Sequence, residues 1–383
     1  MLDCRTSSHH PHRKRAARVL VTMALAAFLL AVFAGTALAV APTVTSISPT
    51  FGLIAGGTMV TINGSGFSGV PMVKFGTTAA TNVVLVSPTK LTCKSPAHAA
   101  GKVDVTVTTL GGTSSAVGWV NDFMYLARFQ EKATQMVYAG TWTSVPSASA
   151  LDSAYKRSST ANASVVIPFK GTRIDYLATK SPDMGKVDVY LDGVLKKTVD
   201  LYSPTSTMHQ QRVYSSGLLA SGYHTLKLKR AASNLATAFI DIDAVDVGGS
   251  LVGPTFYDDT RAAFQPCVSG WFKNTSPNAA GGSYVYTSDY GDVNFLFTGV
   301  RVAILVRTGP IYGRAYINID AGTPVLVDLY SPTVVYKAVW TSGWLSPGQH
   351  MVDFSQAYGD KNPDSQGYAI SFDGVNVWGV LNN

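Results

Sequence analysis

The sequence is poor in glutamate and in charge of either sign. Among its 23 acidic residues only Glu131 is a glutamate, and charged residues make up 14% of the 383-residue chain. Gly, Ser, Thr, Val and Tyr are abundant instead, and these residues favour strands and turns over helices. Because 46% of the residues are apolar, the chain has enough material for packed cores, which excludes a disordered protein. The composition predicts an all-β protein, and the length predicts two or three domains.

Cysteine and net positive charge are also scarce. The chain has three cysteines, of which Cys93 and Cys267 fall in different predicted domains. We therefore expect two buried free thiols rather than a disulfide framework. The formal charge of +7 includes five Lys/Arg and one Asp within residues 1–39, so the remainder carries 25 − 22 = +3. Such a small excess does not predict a nucleic-acid partner.

The N-terminal segment has the order of an export signal. Basic residues from Arg13 to Arg18 precede an apolar run over 19–34, and small residues end at Ala39. This order predicts a signal peptide over 1–39 that is cleaved after Ala39, and hence a secreted or cell-surface protein. The alternative is an uncleaved anchor, because the uncharged stretch 19–41 is just long enough to cross a bilayer. We predict no membrane contact beyond this segment.

Residues 42–126 show closely spaced strand and turn signals. Val103, Val105 and Val107 alternate with polar residues, which indicates a strand with one buried face. The ordered set comprises Ser48-Pro49, Gly56-Gly57-Thr58, Gly64-Ser65-Gly66-Phe67, Phe75-Gly76 and the closing Phe123-Met124-Tyr125. This set resembles the IPT/TIG family, and the resemblance implies an immunoglobulin-like β-sandwich that serves as a spacer or binding module. The matching residues are framework in that family, so the resemblance implies no chemistry.

The rest of the chain contains an internal repeat. Aligning this part of the sequence with itself brings Val199–Pro204 onto the identical Val327–Pro332, and Gly185–Asp192 onto Gly313–Asp320 without a gap. Each unit has period-2 segments, and Leu191-Asp192-Gly193-Val194 predicts a hairpin turn. We therefore predict two domains over 127–250 and 255–383, joined by a Gly-rich linker over 248–254.

Each repeat is predicted to be a jelly-roll-like β-sandwich. The Val-Tyr-Leu-Asp-Gly hairpin, the Val-Asp-Leu-Tyr-Ser strand and the Gly-x-His-Thr-Leu turn of the first repeat resemble the galactose-binding-like jelly rolls used as carbohydrate-binding modules in secreted bacterial proteins. The hydrophobic phase also switches after Asp243 and Asp373, which predicts either a β-bulge there or a strand buried on both faces.

Signals for catalysis are absent from the sequence. It has no Gly-x-Ser-x-Gly elbow, and neither Gly-Lys pair is followed by the Ser or Thr of a phosphate loop. Its repeated aspartates are typical of shared framework rather than of a glycosidase pair. We predict a protein that is not an enzyme.

Four repeated aspartates are candidates for a structural Ca²⁺, the one cofactor that the sequence suggests. They lie at predicted turns and phase switches, and carboxylate and carbonyl oxygens are the ligands that Ca²⁺ prefers. The alternative is that these side chains only accept hydrogen bonds from nearby backbone amides. The candidates are Asp192, Asp243, Asp320 and Asp373.

Aromatic residues carry the predicted ligand-binding signal, because sugar rings stack on exposed aromatic planes. The alternative for the repeated tryptophans, Trp142 and Trp271, is a place in the core. The candidates are Trp142, Trp271, Tyr286, Tyr290, Tyr312 and Trp340.

The predicted function is non-catalytic binding of a polysaccharide or cell-wall glycan, in which two linked modules raise avidity. One alternative is a structural or adhesive surface protein that contacts other proteins. A weaker alternative is an accessory module of an extracellular hydrolase system.

Overall fold

The computed structural model describes residues 40–116, 118–266 and 270–382, and regular structure in these ranges is nearly all β. The export-signal prediction and Cys267 lie outside the described residues. The N-terminal strands are β1 Thr43–Ser48, β2 Phe51–Leu53, β3 Met59–Ser65, β4 Met72–Phe75, β5 Thr78–Ala79, β6 Thr81–Ser87, β7 Lys90–Lys94, β8 Gly101–Thr109, β9 Gly112–Thr113 and β10 Asp122–Gln130. No helix in the described part is long and apolar enough to cross a membrane.

Each repeat has a similar series of strands and one short 3₁₀ turn. The first has β11 Val137–Ala139, β12 Thr143–Pro146, a turn at Leu151–Ser153, β13 Ala154–Ser158, β14 Ser164–Lys180, β15 Lys186–Leu191, β16 Val194–Asp200, β17 Met208–Ser215, β18 Gly222–Arg230, β19 Ile240–Ile242 and β20 Ala244–Leu251. The second has β21 Thr255–Asp258, β22 Gln265–Pro266, β23 Phe272–Thr275, a turn at Ala280–Gly282, β24 Ser283–Thr287, β25 Asp292–Thr308, β26 Arg314–Ile319, β27 Val325–Asp328, β28 Val335–Thr341, β29 Gly348–Gln356, β30 Ile370–Phe372 and β31 Gly374–Leu381. The all-β prediction is confirmed.

The chain folds into two compact units. The first contains the described residues up to Pro49 together with Met59–Lys94 and Asp104–Asp122, and the second contains Thr50–Thr58, Ser95–Val103 and the chain from Phe123 onward. In the first unit, β1-β3-β7-β6 form one antiparallel sheet and β8-β4-β5 lie in another. Val105 and Val107 are buried, as their alternation predicts.

Cys93 in β7 is a buried free thiol. Burial raises the pKa of Cys93 to about 12, so the thiol stays protonated and unreactive at neutral pH.

In the second unit, a network of buried charges holds the segment that contains β2. The guanidinium carbons of Arg173 and Arg212 each lie 4.4 Å from the centroid of the Phe51 ring. Both arginines also bond the buried carboxylate of Asp175 at 3.0 Å. The aromatic ring thus covers two cations that are already paired with a carboxylate, which anchors Thr50–Thr58 to the first repeat.

The two repeats share one β-sandwich topology. One sheet has the order β16-β15-β18-β14-β20-β10 in the first repeat and β27-β26-β29-β25-β31-β21 in the second. A three-stranded sheet, β12-β13-β19 or β23-β24-β30, forms beside it. Each repeat has its own hydrophobic core. Even the isolated bridges recur, since Ser181–Tyr202 and Met184–Phe239 match Gly309–Tyr330 and Tyr312–Ala369.

The phase switch at Asp243 and Asp373 is a change of sheet. β19 belongs to the three-stranded sheet, whereas β20 pairs with β14 in the larger sheet, and β30 and β31 divide in the same way. The predicted bulge is therefore wrong. The alternative of burial on both faces agrees with the structure, because Ile240, Asp241 and Ile242 are all buried.

The predicted linker over 248–254 is wrong at its start. Gly248 and Gly249 lie inside β20, where Gly249 pairs with Gly171 of β14. A Cβ on Gly249 would lie 2.0 Å from the carbonyl oxygen of Lys170. These glycines are therefore present because two strands approach closely, not because the chain is flexible there.

Candidate functional site

Two of the predicted calcium ligands hold hairpin turns. Asp192 has a positive φ of 51°, and its carboxylate accepts hydrogen bonds from the Thr225 amide and from Nδ1 of His224, both at 2.8 Å. Hydrogen bonding to Asp192 raises the pKa of His224. The predicted hairpin between β15 and β16 is confirmed.

The second repeat has the same arrangement at its equivalent turn. Asp320 accepts hydrogen bonds from the Met351 amide at 2.9 Å and from His350 at 2.7 Å. Burial acts to raise the pKa of Asp320, but the hydrogen bonds from His350 and Met351 outweigh it and lower the pKa. In both turns the carboxylate oxygens already accept hydrogen bonds, which is the structural alternative that the sequence left open.

The other two aspartates lie where the chain changes sheet, next to side chains that each keep one buried oxygen without a hydrogen-bond partner. In the first repeat, Asp243 accepts a hydrogen bond from the Leu151 amide at 3.1 Å, and its carbonyl accepts one from the Glu131 amide. Buried side-chain oxygens of Gln130 and Glu131 have no hydrogen-bond partner. Burial, with a smaller contribution from the charge of Glu131, raises the pKa of Asp243 to about 6.

The second repeat reproduces this arrangement with aspartates. Asp373 accepts a hydrogen bond from the Ala280 amide at 3.1 Å, and one buried oxygen each of Asp258, Asp259 and Asp373 has no partner. Burial, with smaller contributions from the charges of Asp259 and Asp258, raises the pKa of Asp373 to about 7. Unpaired buried carboxylates are costly, and a cation between them would remove that cost.

These orphaned oxygens fit a hard cation. Carboxylate, amide and carbonyl oxygens form the donor set that Ca²⁺ prefers. Across the described ranges, no group of three or more His, Cys, Asp or Glu side chains is placed to hold a metal, so main-chain or amide oxygens would have to complete the shell. Sequence analysis missed Glu131 and Asp259, although the alignment of the two repeats pairs them and Glu131 is the only glutamate.

The predicted aromatic residues divide by exposure. Trp142, Trp271, Tyr286 and Trp340 are partly buried against the two cores. Tyr312 is fully buried, and its hydroxyl accepts a hydrogen bond from Arg307, so it offers no exposed plane for stacking. The idea of an exposed ring at this position is wrong, because the loop that carries Tyr312 folds the side chain into the core of the second repeat.

Tyr290 is exposed and lies in an aromatic stack. Its ring is 55% exposed and stacks on the 71% exposed ring of Tyr358, with centroids 4.4 Å apart and planes 14° from parallel. The loops that carry the two rings are joined by a hydrogen bond from the Gln356 amide to the Gly291 carbonyl. We call Tyr290 and Tyr358 the tyrosine platform. Sequence analysis missed Tyr358, which carries no repeat signal.

Charged and polar groups belong to the same loop. Asp360 pairs with Arg314 at 2.8 Å, and the Lys361 ammonium lies 5.0 Å from the centroid of the Tyr368 ring. The side-chain amide of Gln356 donates to the Tyr368 carbonyl at 2.6 Å. The loop that carries Tyr358 is thus held by several bonds and offers aromatic planes beside groups able to bond hydroxyls.

Comparisons with known proteins identify the N-terminal domain. Residues 42–118 match the family described as IPT/TIG domain, which confirms the sequence-based resemblance. The match covers less than a third of the chain.

Two curated proteins from Flavonifractor plautii are similar to parts of the chain. A type blood alpha-D-galactosamine galactosaminidase is 24% identical over 235 residues, or 61% of this chain and 21% of that protein. A type blood N-acetyl-alpha-D-galactosamine deacetylase is 30% identical over 98 residues, or 26% of this chain and 12% of that protein. The chain thus spans about a fifth or less of the length of these relatives.

Among solved structures, Paenibacillus xanthan lyase aligns with 85% of this chain and 33% of its own chain. Its identity is 14% and the TM-score is 0.30.

Proposed function

We propose that this protein is an exported, non-catalytic glycan-binding protein. The observation that carries the proposal is the tyrosine platform, an exposed stack of two parallel rings with Arg314, Asp360 and Lys361 on or beside the same loop. An exposed aromatic ring can stack on the C–H face of a sugar, and charged side chains beside it can form hydrogen bonds with the sugar hydroxyls. Similarity to parts of two enzymes named for galactosamine substrates supports a carbohydrate ligand.

Asp241 has a strongly raised pKa but is not placed to act as a catalytic acid. Burial raises the pKa of Asp241 to about 8, but this carboxylate is 1% exposed and accepts a hydrogen bond from the Thr179 amide at 2.8 Å. A general acid must reach its substrate. Asp241 lies inside the sandwich, where a sugar has no access.

We also propose that each repeat holds a structural Ca²⁺ at its change of sheet. Glu131 and Asp243, with the amide oxygen of Gln130, would bind it in the first repeat. In the second repeat two carboxylates, those of Asp259 and Asp373, would bind it together with main-chain oxygens. The unpartnered buried oxygens support this proposal.

Binding to insoluble polysaccharides and purified cell walls tests the glycan proposal with the full chain. We expect retention on at least one glycan, and at least about a tenfold loss of affinity in the Tyr290→Ala, Tyr358→Ala double variant. Tyr202→Ala is the matched control, because Tyr202 is 51% exposed in the first repeat and belongs to no aromatic stack in the described residues. Equal binding by the double variant and the control would reject the platform.

The competing function is adhesion to another protein, and β6 is the observation in its favour. This strand lies at the end of its sheet and exposes Val84 and Val86. A strand from a partner could add to such an edge. Failure of the folded protein to bind any glycan, together with a partner contact that Val84→Lys abolishes, would favour adhesion over glycan binding.

A further inference from the structure

A groove lies on the outer face of the first repeat, opposite a loop of the second. Its cavity has a volume of about 420 Å³, within the range of small-molecule sites. Tyr190, Lys227 and Lys229 line it from β15 and β18, and Trp344 lines it from the loop before β29. We call this cavity the inter-repeat groove.

The groove has positive charge that the protein neutralises only in part. Lys227 lies between Val166 of β14 and Tyr190 of β15, both uncharged. Lys229 lies opposite Asp188, which offsets its charge in part. Asp192 also lines the groove, but its oxygens already accept hydrogen bonds from His224 and Thr225. Within the described ranges, the Lys227 ammonium forms no ion pair.

The aromatic wall of the groove is held in place before any ligand arrives. The Trp344 ring lies over the Arg301 guanidinium, with 4.7 Å from the guanidinium carbon to the ring centroid, and meets the Trp378 ring edge-on. The carbonyl of Ser346 accepts a hydrogen bond from His350 at 2.8 Å, which fixes the same loop. A rigid wall lowers the entropy lost on binding.

The equivalent face of the second repeat has an acidic residue where the first repeat has Lys227. Asp353 stands where the first repeat has Lys227, and its strand partners are Asn294 and Asn318 instead of Val166 and Tyr190. The turn pairs Asp192–His224 and Asp320–His350 are the same in both repeats. The framework is thus the same in both repeats, whereas the outer face differs, so Lys227 and Lys229 are not part of the shared framework.

We propose that the inter-repeat groove binds an anionic saccharide unit, with Lys227 and Lys229 on its acidic group and Tyr190 and Trp344 against its ring. This rests on the proposed glycan-binding function and gives it a ligand class and a second site. A cationic, aromatic-lined groove favours a uronate or a sulfated sugar over a neutral one. Affinity should fall as salt is raised.

Calorimetry with the full chain tests the groove, using tetragalacturonate, its methyl ester and a sulfated oligosaccharide of the same length as probes. We expect the free acid to bind at least about tenfold more tightly than the ester, and Lys227→Gln, Lys229→Gln to remove that preference. Trp344→Ala should weaken binding of both. The sulfated probe decides whether the groove accepts any anion or only the carboxylate.

Two controls separate the possible failures. Lys74→Gln, Lys90→Gln removes the same charge from exposed strand residues of the first compact unit and should keep the preference. Tyr290→Ala, Tyr358→Ala should also keep it, because the platform is a different site. If neutral glycans bind but the acid shows no preference, or if the lysine variant binds like the wild type, the groove proposal is overturned alone. If no glycan of any kind binds, both proposals are overturned.

Discussion

At the scale of single residues, the four repeated aspartates have two different environments. Asp192 and Asp320 are saturated by a histidine and a backbone amide, whereas Asp373 keeps a buried oxygen without a partner. All four looked alike in the sequence, because each recurs at a turn or a phase switch. The four aspartates differ only in the residues that the fold places next to them from distant parts of the chain.

Stabilisation by calcium should therefore be lost when the carboxylates at the change of sheet are removed, but not when those at the hairpin turns are removed. We expect Ca²⁺ at about 100 times its dissociation constant to stabilise each repeat of the wild type by about 3 kcal/mol, or roughly 10 °C in Tm. The Asp243→Asn, Asp373→Asn double variant should lose this gain, because a neutral amide binds a hard cation more weakly than a carboxylate does. Differential scanning calorimetry in Ca²⁺ and in EDTA measures this difference in Tm.

The matched control is Asp192→Asn, Asp320→Asn. It should lower Tm, since the bonds to His224 and His350 weaken, yet keep the full calcium increment. A wild type that shows no calcium increment would refute the proposed sites. So would an increment that the Asp243→Asn, Asp373→Asn variant retains.

At the scale of elements, the long strands β14 and β25 organise each sandwich. The first half of β14 pairs with β18 and its second half pairs with β17. On its other side β14 pairs with β20, and the register shifts after Gly171. The Gly171–Gly249 contact, and Gly299–Gly379 in the second repeat, lie beside these register shifts. Composition alone assigns Gly248 and Gly249 to a linker, because a glycine required by close packing looks the same as one that provides flexibility.

Gly249→Ala should destabilise the protein by about 2 to 4 kcal/mol, because the new methyl group would overlap the Lys170 carbonyl. Gly253→Ala is the matched control, since its Cβ would meet only the Gln135 side chain at 3.4 Å. It should change stability by less than about 0.5 kcal/mol. Urea unfolding of the full chain measures the free energy of unfolding of both variants. Equal destabilisation by the two would show that the close contact of Gly249 with the Lys170 carbonyl is not the reason for the glycine.

At the scale of the whole molecule, the two repeats share one topology but differ on the outer face, where Lys227 of the first repeat corresponds to Asp353 of the second. The proposed tyrosine platform and the proposed inter-repeat groove would together favour a glycan that presents one sugar to each, since the second contact would form at a high effective concentration. Export would place such a binder where polysaccharides occur.

Expression in a bacterial secretion host tests the export prediction. We expect the mature protein to begin at Val40, because small residues at positions 37 and 39 form the cleavage site. N-terminal sequencing of the extracellular fraction measures this. Ala37→Arg, Ala39→Arg should leave an uncleaved, cell-bound product, and a wild type that stays in the membrane fraction with its N-terminal segment intact would favour the anchor.

Local patterns in the sequence determine a large part of this protein. Strand alternation, the Asp-Gly turn after Leu191 and the repeat that aligns Val199 with Val327 depend on neighbouring positions or on direct comparison, so they predict an all-β chain with an IPT/TIG domain and two related sandwiches. Tertiary structure alone decides which groups meet. Tyr358 reaches Tyr290, Trp344 faces Lys227, and Tyr312 turns inward, because these contacts join loops and strands whose separation in the sequence carries no periodic signal.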